Sequence, residues 1–304
     1  MDEQEQGIAL GKFLSTCGIA SRRHAVELVK EGIVTVNDVP ETNPARRIMP
    51  TDCVRYQGEI VRPPEKRHYI LLHKPRGYIC TSEDPHAKKK AIDLIRHPDS
   101  PRLFSAGRLD KDSEGMILFS DDGDFVNLLT HPSGGIRKVY EVSMEYELTE
   151  RDIARMKEGI RDEGETLRAL SVRYLTGNKY EIILGEGKNR EIRRMLTAVR
   201  NRALRLKRIK VGSLKMGSLP CGEWRELLPE EVRVLIAEAK DGRKTTNSHR
   251  TESPRKYTRS PEGKTPRSDG VPTGETTRKA FRNGPRRNGS GLRNRHRSDR
   301  QASK

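Results

Sequence analysis

The chain opens with two helix-like segments followed by strand-like segments. Apolar residues recur at helical spacing in 8–18, which ends at a glycine. Residues 21–32 begin at Ser21, a favourable N-cap, and also end at a glycine. The valines that follow alternate with polar residues and lead into an Asn-Asp turn, which indicates a hairpin. This pattern predicts a small helix–helix–hairpin domain over residues 8–61.

Residues 68–240 read mainly as strands and would form a second, larger domain. The segment 62–67 contains two prolines and is expected to be a linker. Strands come in runs rather than alternating regularly with helices, which favours a mixed, mostly antiparallel sheet with helices packed on it and an α+β fold class. The strand-like runs are YILLHKP, GMILFS, KVYEVSMEY, SVRYL, KYEIIL, ALRLKRIKVGSL and EWREL, and the helix-like runs are TERDIARMKEG, NREIRRMLTAVRN and PEEVRVLIAEAK.

Charge separates the end of the chain from its body. The 304 residues carry a net charge of +17, and residues 241–304 hold 18 basic against 6 acidic side chains without hydrophobic periodicity. Such a segment cannot bury enough apolar surface to offset the entropy of ordering, so we predict a disordered basic tail. The tail would act either as a solubilising segment or as an arm that binds phosphates nonspecifically.

Several classes of protein are disfavoured by composition. The four cysteines are far apart, without the paired spacing of a zinc site or a disulfide framework. No apolar run reaches the length of a membrane span, and the acidic N-terminus does not read as a secretory signal. We therefore expect a cytoplasmic protein with no membrane partner.

Two arginines mark the first domain as a candidate RNA-binding domain. Arg22 and Arg23 lie in the first turn of the second helix, where cations oppose the helix dipole but can join backbone N–H groups in binding phosphate. The run GKFLSTCGIASRRHAVELVKEGIVTVN resembles the RNA-binding domain named after protein four of the small ribosomal subunit. That resemblance makes Lys12, Arg22 and Arg23 candidate RNA contacts.

Six acidic residues lie close together in GRLDKDSEGMILFSDDGDF, residues 107–125. Asp110, Asp112, Glu114 and Asp121 approach the spacing of a calcium loop. Calcium binding is disfavoured because position five holds Glu, the twelfth residue is the shorter Asp, and prolines upstream prevent an entering helix. No metal site is expected here.

Most of these acids have a simpler interpretation. Asp121, Asp122 and Asp124 suit a turn and a helix start, with Asp124 as the expected cap, while the two acids between Asp110 and the strand are expected to be solvated. Asp110 ends an inward-packing segment, and a partner for it is expected to come from elsewhere in the chain.

The same stretch carries a second resemblance. GRLDKDSEGMILFSDDGDF is similar to the signature of pseudouridine synthases of the RsuA type. HKPRGY, KVYEV, EGKNREIRRM and LPCGEWREL match further motifs of that family, so the resemblance spans 8–230 in the family's order. The segment KDSEG is closer to the bacterial members that act on 23S rRNA of the large subunit.

The resemblance implies an enzyme that isomerises a uridine of ribosomal RNA to pseudouridine, without cofactor or metal. It assigns Asp110 as the catalytic aspartate, Tyr140 as the ring that stacks on the uracil, and Arg193 as the cation that keeps Asp110 ionised. Helical spacing is compatible, because Arg193 falls on the flank of the buried face while Arg194 would point to solvent. The remaining basic residues of the motifs are expected to contact phosphates: Lys74, Arg108, Lys188 and Arg190.

A non-catalytic RNA-binding factor for ribosome assembly, built on the same scaffold, is the alternative. The joint presence of Asp110, Tyr140 and Arg193 argues against it. In both interpretations the partner is ribosomal RNA or a ribosomal subunit precursor, and a monomer is expected.

Overall fold

The N-terminal domain has two helices packed on a small sheet. The computed structural model describes residues 7–81, 89–99 and 102–251, with only the backbone for 244–251. The helices are α1 (Leu10–Thr16) and α2 (Arg22–Lys30), and the strands are β1 (Ile8–Ala9), β2 (Val34–Val36), β3 (Val39–Pro40), β4 (Arg47–Ile48), β5 (Val54–Tyr56) and β6 (Glu59–Ile60). The predicted cap is confirmed, since Ser21 Oγ accepts a hydrogen bond from the backbone N–H of His24 at 3.3 Å.

The start of the first helix was predicted too early. Ile8 and Ala9 form β1 and pair antiparallel with Ile48 and Arg47 of β4. These two residues form a strand because β4 offers hydrogen-bond partners to their backbone groups, whereas a two-residue extension of the helix would leave those groups without partners.

The larger domain is a nine-stranded sheet with helices against it. Its helices are α3 (Gly123–Thr130), α4 (Glu150–Glu158), α5 (Glu191–Ala198) and α6 (Pro229–Thr251). Its sheet strands are β7 (Tyr69–Lys74), β8 (Phe104–Ala106), β9 (Glu114–Ser120), β10 (Lys138–Met144), β13 (Ser171–Thr176), β14 (Lys179–Leu184), β15 (Ala203–Val211), β16 (Leu214–Lys215) and β17 (Trp224–Glu226). A separate hairpin comprises β11 (Ile160–Asp162) and β12 (Glu165–Leu167). The predicted α+β class is confirmed.

The sheet consists of two antiparallel halves joined by one parallel contact. Its order is β13-β14-β10-β15-β9-β7-β17, with β16 beside β15 and β8 beside β9. In the described part of the sheet, β9 and β15 are the strands that pair in parallel. All seven residues of β9 are buried. Side chains of this strand alternate, because Ile117 and Phe119 enter one apolar core while Met116 and Leu118 enter the other.

The junction of the halves depends on Gly115. Its φ is +108°, and a Cβ there would lie 2.6 Å from Arg208 N and closer still to Arg208 O. Glycine is required because the backbones of β9 and β15 approach one another too closely for a side chain. The Gly115–Arg208 contact therefore holds the start of β9 against the middle of β15.

The acidic stretch is organised differently from the prediction. Asp122 caps α3, since its Oδ1 accepts from Asp124 N at 2.9 Å and Phe125 N at 3.0 Å. Asp124 was the predicted cap and lies in the first turn instead. Asp121 binds His68, accepting from its backbone N–H at 2.9 Å.

Glu114 is buried rather than solvated as predicted, whereas Asp112 is exposed. The Glu114 carboxylate, 8% exposed, accepts from Arg205 Nε at 2.9 Å and Nη2 at 2.7 Å. A buried carboxylate needs such a partner, and β15 supplies one that sequence spacing could not reveal. The length of β9 separates Glu114 from Asp121, so these two acids do not converge on one calcium ion.

The last helix runs beyond the predicted domain boundary at 240. α6 continues to Thr251, so the start of the predicted disordered tail is helical. A Cβ on Gly242 would collide with the carbonyl oxygen of Gly134, so this glycine fits tertiary packing rather than ending the helix. Residues 252–304 of the tail lie outside the described residues. Among the helices of the described residues, none is long and apolar enough to cross a bilayer.

The close approach at Gly115 generates a stability prediction. Gly115→Ala combines positive-φ strain with a backbone collision and should cost about 3 kcal/mol in the free energy of unfolding. Gly187→Ala is the matched control, because that glycine is exposed and a Cβ there meets no atom within 4 Å. Urea unfolding of both variants measures the difference, and equal stabilities would contradict the role given to Gly115.

Candidate active site

Asp110 lies at the point where the two halves of the sheet meet. It belongs to the loop between β8 and β9, which turns at Gly107 with φ +87°. The loop is tightened by a hydrogen bond from Ser113 N to Asp110 O at 3.0 Å. The Asp110 side chain is 27% exposed and faces a cleft of about 230 Å³. The carboxylate is therefore accessible from the cleft yet held by a short loop.

Two arginines from a much later part of the chain, at the start of α5, lie near this carboxylate. Arg193 Nε on α5 lies 3.6 Å from Asp110 Oδ2, and Arg190 Nη1 lies 3.7 Å from the same oxygen. Arg190 precedes α5 in the left-handed conformation, with φ +48°. The start of α5 thus presents two positive charges to one carboxylate.

Arg193 is held in place by hydrogen bonds to the loop that carries Asp110. Its Nη2 donates to Asp112 O at 3.3 Å and to Ser113 Oγ at 3.4 Å, and its Nη1 donates to Ala203 O at 3.4 Å. Its side chain is 16% exposed, and burial, followed by the nearby charge of Arg190, lowers the pKa of Arg193. Among the described residues, no atom accepts a hydrogen bond from its buried Nε. A small movement of Asp110 toward Arg193 would complete that hydrogen bond.

Tyr140 enters the same cleft from β10. It is 7% exposed and lies opposite Arg208 of β15 and Ile182 of β14. Leu184, Ile192 and Leu206 also line the cleft and supply apolar wall. The cleft therefore combines an aromatic ring, apolar walls and a carboxylate.

Two cleft residues were not identified from the sequence. Lys138 and Arg208 both line the cleft. Lys138 lies two residues before Tyr140, and the two-residue period of a strand puts both on one face, so this signal was available in KVYEV. Arg208 Nε donates to Met116 O at 2.7 Å, whereas no atom of the described residues accepts from its buried Nη2. Its inward position depends on sheet pairing, which sequence spacing does not reveal.

Lys138 has an unusual protonation equilibrium. Burial, followed by the charge of Arg208, lowers the pKa of Lys138 from 10.5 to about 8. Glu191 lines the cleft nearby, and burial raises the pKa of its carboxyl group. Lys138 is thus a cation at pH 7 that loses its charge within reach of ordinary assay conditions.

The predicted phosphate contacts divide into accessible and inaccessible groups. Arg108 is exposed and lines the cleft, and Arg190 is 48% exposed. Lys188 lies at the rim, where its Nζ contacts Thr166 O at 2.7 Å. Lys74 was wrongly placed among the phosphate contacts, because it is fully buried. Its ammonium group donates to two backbone oxygens, Pro75 O at 3.0 Å and Ser113 O at 2.7 Å, and so supports the Asp110 loop from below.

The prediction for Arg194 was wrong. This side chain is 14% exposed rather than solvated. It donates to Asp162 Oδ2 at 2.5 Å and to Glu165 Oε2 at 2.6 Å. Arg194 therefore ties α5 to the β11–β12 hairpin, a partner that helical periodicity alone cannot identify.

Two of the predicted RNA contacts in the N-terminal domain touch the larger domain. Lys12 Nζ lies 2.8 Å from Asp124 Oδ2, and Arg22 Nη2 lies 3.6 Å from Asp124 Oδ1. Arg22 is 57% exposed and Arg23 is exposed, so both remain accessible to a ligand. A further contact joins Arg67 Nη1 to Thr16 O at 3.2 Å.

Family models match both parts of the chain. The model described as RNA pseudouridylate synthase matches residues 68–198, and the S4 domain model matches residues 10–54. A protein of Aquifex aeolicus described as an uncharacterized RNA pseudouridine synthase is 36% identical over 228 residues, covering 74% of this chain and 95% of that protein. The chain belongs to the RNA pseudouridine synthase family. Both resemblances found in the sequence are thereby confirmed.

Other members of the family are similar over most of this chain. Ribosomal large subunit pseudouridine synthase B of Bacillus subtilis is 34% identical, covering 77% of this chain and 98% of that protein. Dual-specificity RNA pseudouridine synthase RluF of Escherichia coli K12 is 32% identical, covering 76% of this chain and 79% of that protein. A solved structure described as a crystal structure of pseudouridylate synthase has a TM-score of 0.56 and 28% identity, covering 76% of this chain and all of that one. The enzyme class is therefore that of an RNA pseudouridine synthase.

The pKa of Lys138 predicts a pH dependence of RNA binding. A group with a pKa of about 8 is mostly charged at pH 7 and mostly neutral at pH 9. Raising the pH from 7 to 9 should weaken binding of an RNA substrate about fivefold, equivalent to about 1 kcal/mol for one charge contact. Fluorescence anisotropy at constant ionic strength measures the change. Lys138→Arg keeps its charge and should bind equally at both pH values; the same fivefold loss in that variant would contradict the role of Lys138.

Proposed function

We propose that this enzyme isomerises a uridine of 23S ribosomal RNA to pseudouridine. Similarity to the Bacillus subtilis large-subunit enzyme over almost that protein's whole length supports this substrate. The segment KDSEG after Asp110 supports the same choice. The observation that carries the proposal is the Asp110 carboxylate, which faces a cleft lined by basic residues and lies within 3.7 Å of two guanidinium groups.

The proposed reaction needs no exchange of electrons with a cofactor. The bond between N1 of uracil and C1′ of ribose breaks, the base turns, and C5 bonds to C1′. The proton on C5 is lost and N1 gains one, so atoms and charge balance within the nucleotide. Asp110 would begin the reaction by attacking the sugar or the base, or by removing a proton from the sugar.

Arg193 and Tyr140 would prepare the site for this step. A carboxylate inside a cleft favours its neutral form unless a cation compensates the lost hydration. Arg193, fixed by the loop oxygens, would keep Asp110 ionised. The Tyr140 ring would stack on the turned uracil, and its hydroxyl group could assist removal of the C5 proton.

The basic residues around the cleft would hold the RNA backbone while the target base is extruded. Arg108 and Arg190 face the cleft and would contact phosphates or fill the space left by the base, with Lys188 at the rim. Lys12, Arg22 and Arg23 of the N-terminal domain would extend the contact to flanking RNA. Lys74 is excluded from this set by its burial.

The setting of the enzyme follows from this substrate. We place it in the cytoplasm, where ribosomal subunits are assembled, and expect a monomer that acts without a redox or metal cofactor in the reaction. The alternative, a non-catalytic assembly factor, is disfavoured because the carboxylate, ring and arginine converge on one region.

Asp110→Asn tests the proposed reaction. Transcripts of 23S and 16S rRNA tritiated at uracil C5 should release tritium from 23S rRNA with the wild-type enzyme, because C5 loses its proton. The Asn variant should release none, since an amide cannot replace the carboxylate, while circular dichroism checks that it is folded. Full activity of Asp110→Asn would reject the assigned aspartate, and release from neither transcript would reject the substrate.

Arg193 provides a second test through its charge. Arg193→Met should lower kcat about a hundredfold, the typical effect of losing one preorganised electrostatic partner. Arg193→Lys keeps the charge and should retain more activity. Equal losses in Arg193→Met and Arg193→Lys would indicate a purely structural role.

A further inference from the structure

A second group of titratable side chains lies at the opposite end of β9 from Asp110. It contains His68, His97, Asp99, Asp121 and Glu226, and we call it the histidine cluster. At about 3.3 Å per residue, the seven residues of β9 span roughly 20 Å between the two groups. The histidine cluster is therefore separate from the cleft and takes no part in the proposed reaction.

Potential ligand atoms converge in the histidine cluster. One ligand atom from each of His68, His97 and Glu226 lies within 4.8 Å of the others. His97 Nε2 is 2.7 Å from Glu226 Oε1, and the centroids of the two imidazole rings are 4.6 Å apart. Asp99 Oδ2 is a fourth candidate, 3.1 Å from His68 Nε2. Two imidazoles with two carboxylates form a ligand set that suits zinc.

Asp121 orients His68 in the way that outer carboxylates orient metal ligands. Its Oδ2 lies 2.9 Å from His68 Nδ1, and its Oδ1 accepts from the His68 backbone N–H at 2.9 Å. The Asp121 side chain is 11% exposed and the His68 side chain 8%. A carboxylate on one ring nitrogen places the proton there and directs the lone pair of Nε2 toward the other ligands.

The hydrogen bonding of His68 is incomplete for a neutral ring without a metal. Both of its ring nitrogens face carboxylate oxygens, which accept hydrogen bonds and do not donate them. A neutral imidazole carries one N–H, so the second contact would set two lone pairs against each other. A cation at Nε2, either a proton or a metal ion, removes that conflict.

Charge leads to the same conclusion. Asp99, Asp121 and Glu226 bring three carboxylates to two imidazoles, and Lys66 Nζ, 3.7 Å from Glu226 Oε1, is a neighbouring cation. Neutral histidines leave a surplus of negative charge beside buried rings. A divalent cation would balance this charge.

We propose that His68, His97, Asp99 and Glu226 bind one structural Zn²⁺, with Asp121 as the carboxylate behind His68. His97 Nδ1 accepts a hydrogen bond from the Asp99 backbone N–H at 3.2 Å, and metal binding at Nε2 moves the ring proton to Nδ1 and displaces that N–H. Glu226 and Asp99 are 42% and 61% exposed, so their side chains can turn inward to tetrahedral distances. The ion joins the residue before β7, the segment that carries His97 and Asp99, and the edge strand β17.

Zinc titration of the full chain tests this site. After treatment with a chelator, the protein should bind one Zn²⁺ per chain in a calorimetric titration and gain thermal stability. His97→Gln and Glu226→Gln should each weaken binding at least tenfold, and Asp121→Asn should weaken it about tenfold to a hundredfold. His24→Gln is the matched control, because His24 lies 59% exposed on α2. It should bind like the wild type.

Cobalt distinguishes this site from the cysteines. Co²⁺ held by imidazole and carboxylate gives visible d–d absorption without a sulfur charge-transfer band, whereas a cysteine site gives both. The proposal is overturned if no Zn²⁺ binds, if His97→Gln and Glu226→Gln bind like the wild type, or if the sulfur band dominates. Because binding and melting are measured without RNA, these outcomes are independent of the enzymatic activity.

Discussion

The close approach of β9 and β15 at Gly115 is the constraint on which the site depends. Two antiparallel halves of the sheet meet there in a parallel contact, and Gly115 lies against the backbone of Arg208. Parallel strands cannot be joined by a tight turn and need a long crossover connection, so their pairing brings together residues that are far apart in sequence. The loop carrying Asp110 precedes this contact directly, and Tyr140 lies beside Arg208 on the next strand.

Burial of charge around this junction is compensated locally. Glu114 receives Arg205, Lys74 donates to backbone oxygens beneath the loop, and Arg193 binds the loop from the side of α5. Removing a charge from water is costly unless a partner replaces the hydration. These buried charges therefore hold the loop that carries Asp110 in position. The Asp110 carboxylate remains accessible from the cleft, and neither nearby arginine makes a short hydrogen bond to it.

The acidic stretch shows how one sequence motif serves several physical purposes. Asp110 faces the cleft, Glu114 anchors β15, and Asp122 caps α3. Asp121 turns away from all of these and binds His68. Asp124 contacts Lys12 and Arg22, which connects the N-terminal domain to α3.

Local features of the fold were predictable from sequence because they depend on neighbours in the chain. The Ser21 and Thr149 caps, the two-sided burial of β9 and the α+β class follow from spacing and propensity. The motifs also led to Asp110, Tyr140 and Arg193, and family resemblance supplied their proposed roles.

Contacts across the sheet were decided by the tertiary structure alone. Burial of Lys74, the inward position of Arg208, the partners of Arg194 and the meeting of His68 with His97 and Glu226 all join distant segments. Strand order and register determine these contacts, and neither can be predicted from the hydrophobic periodicity of the sequence. The sequence alone therefore determined the elements and the candidate chemistry, whereas packing determined which charges are buried and which groups share a site.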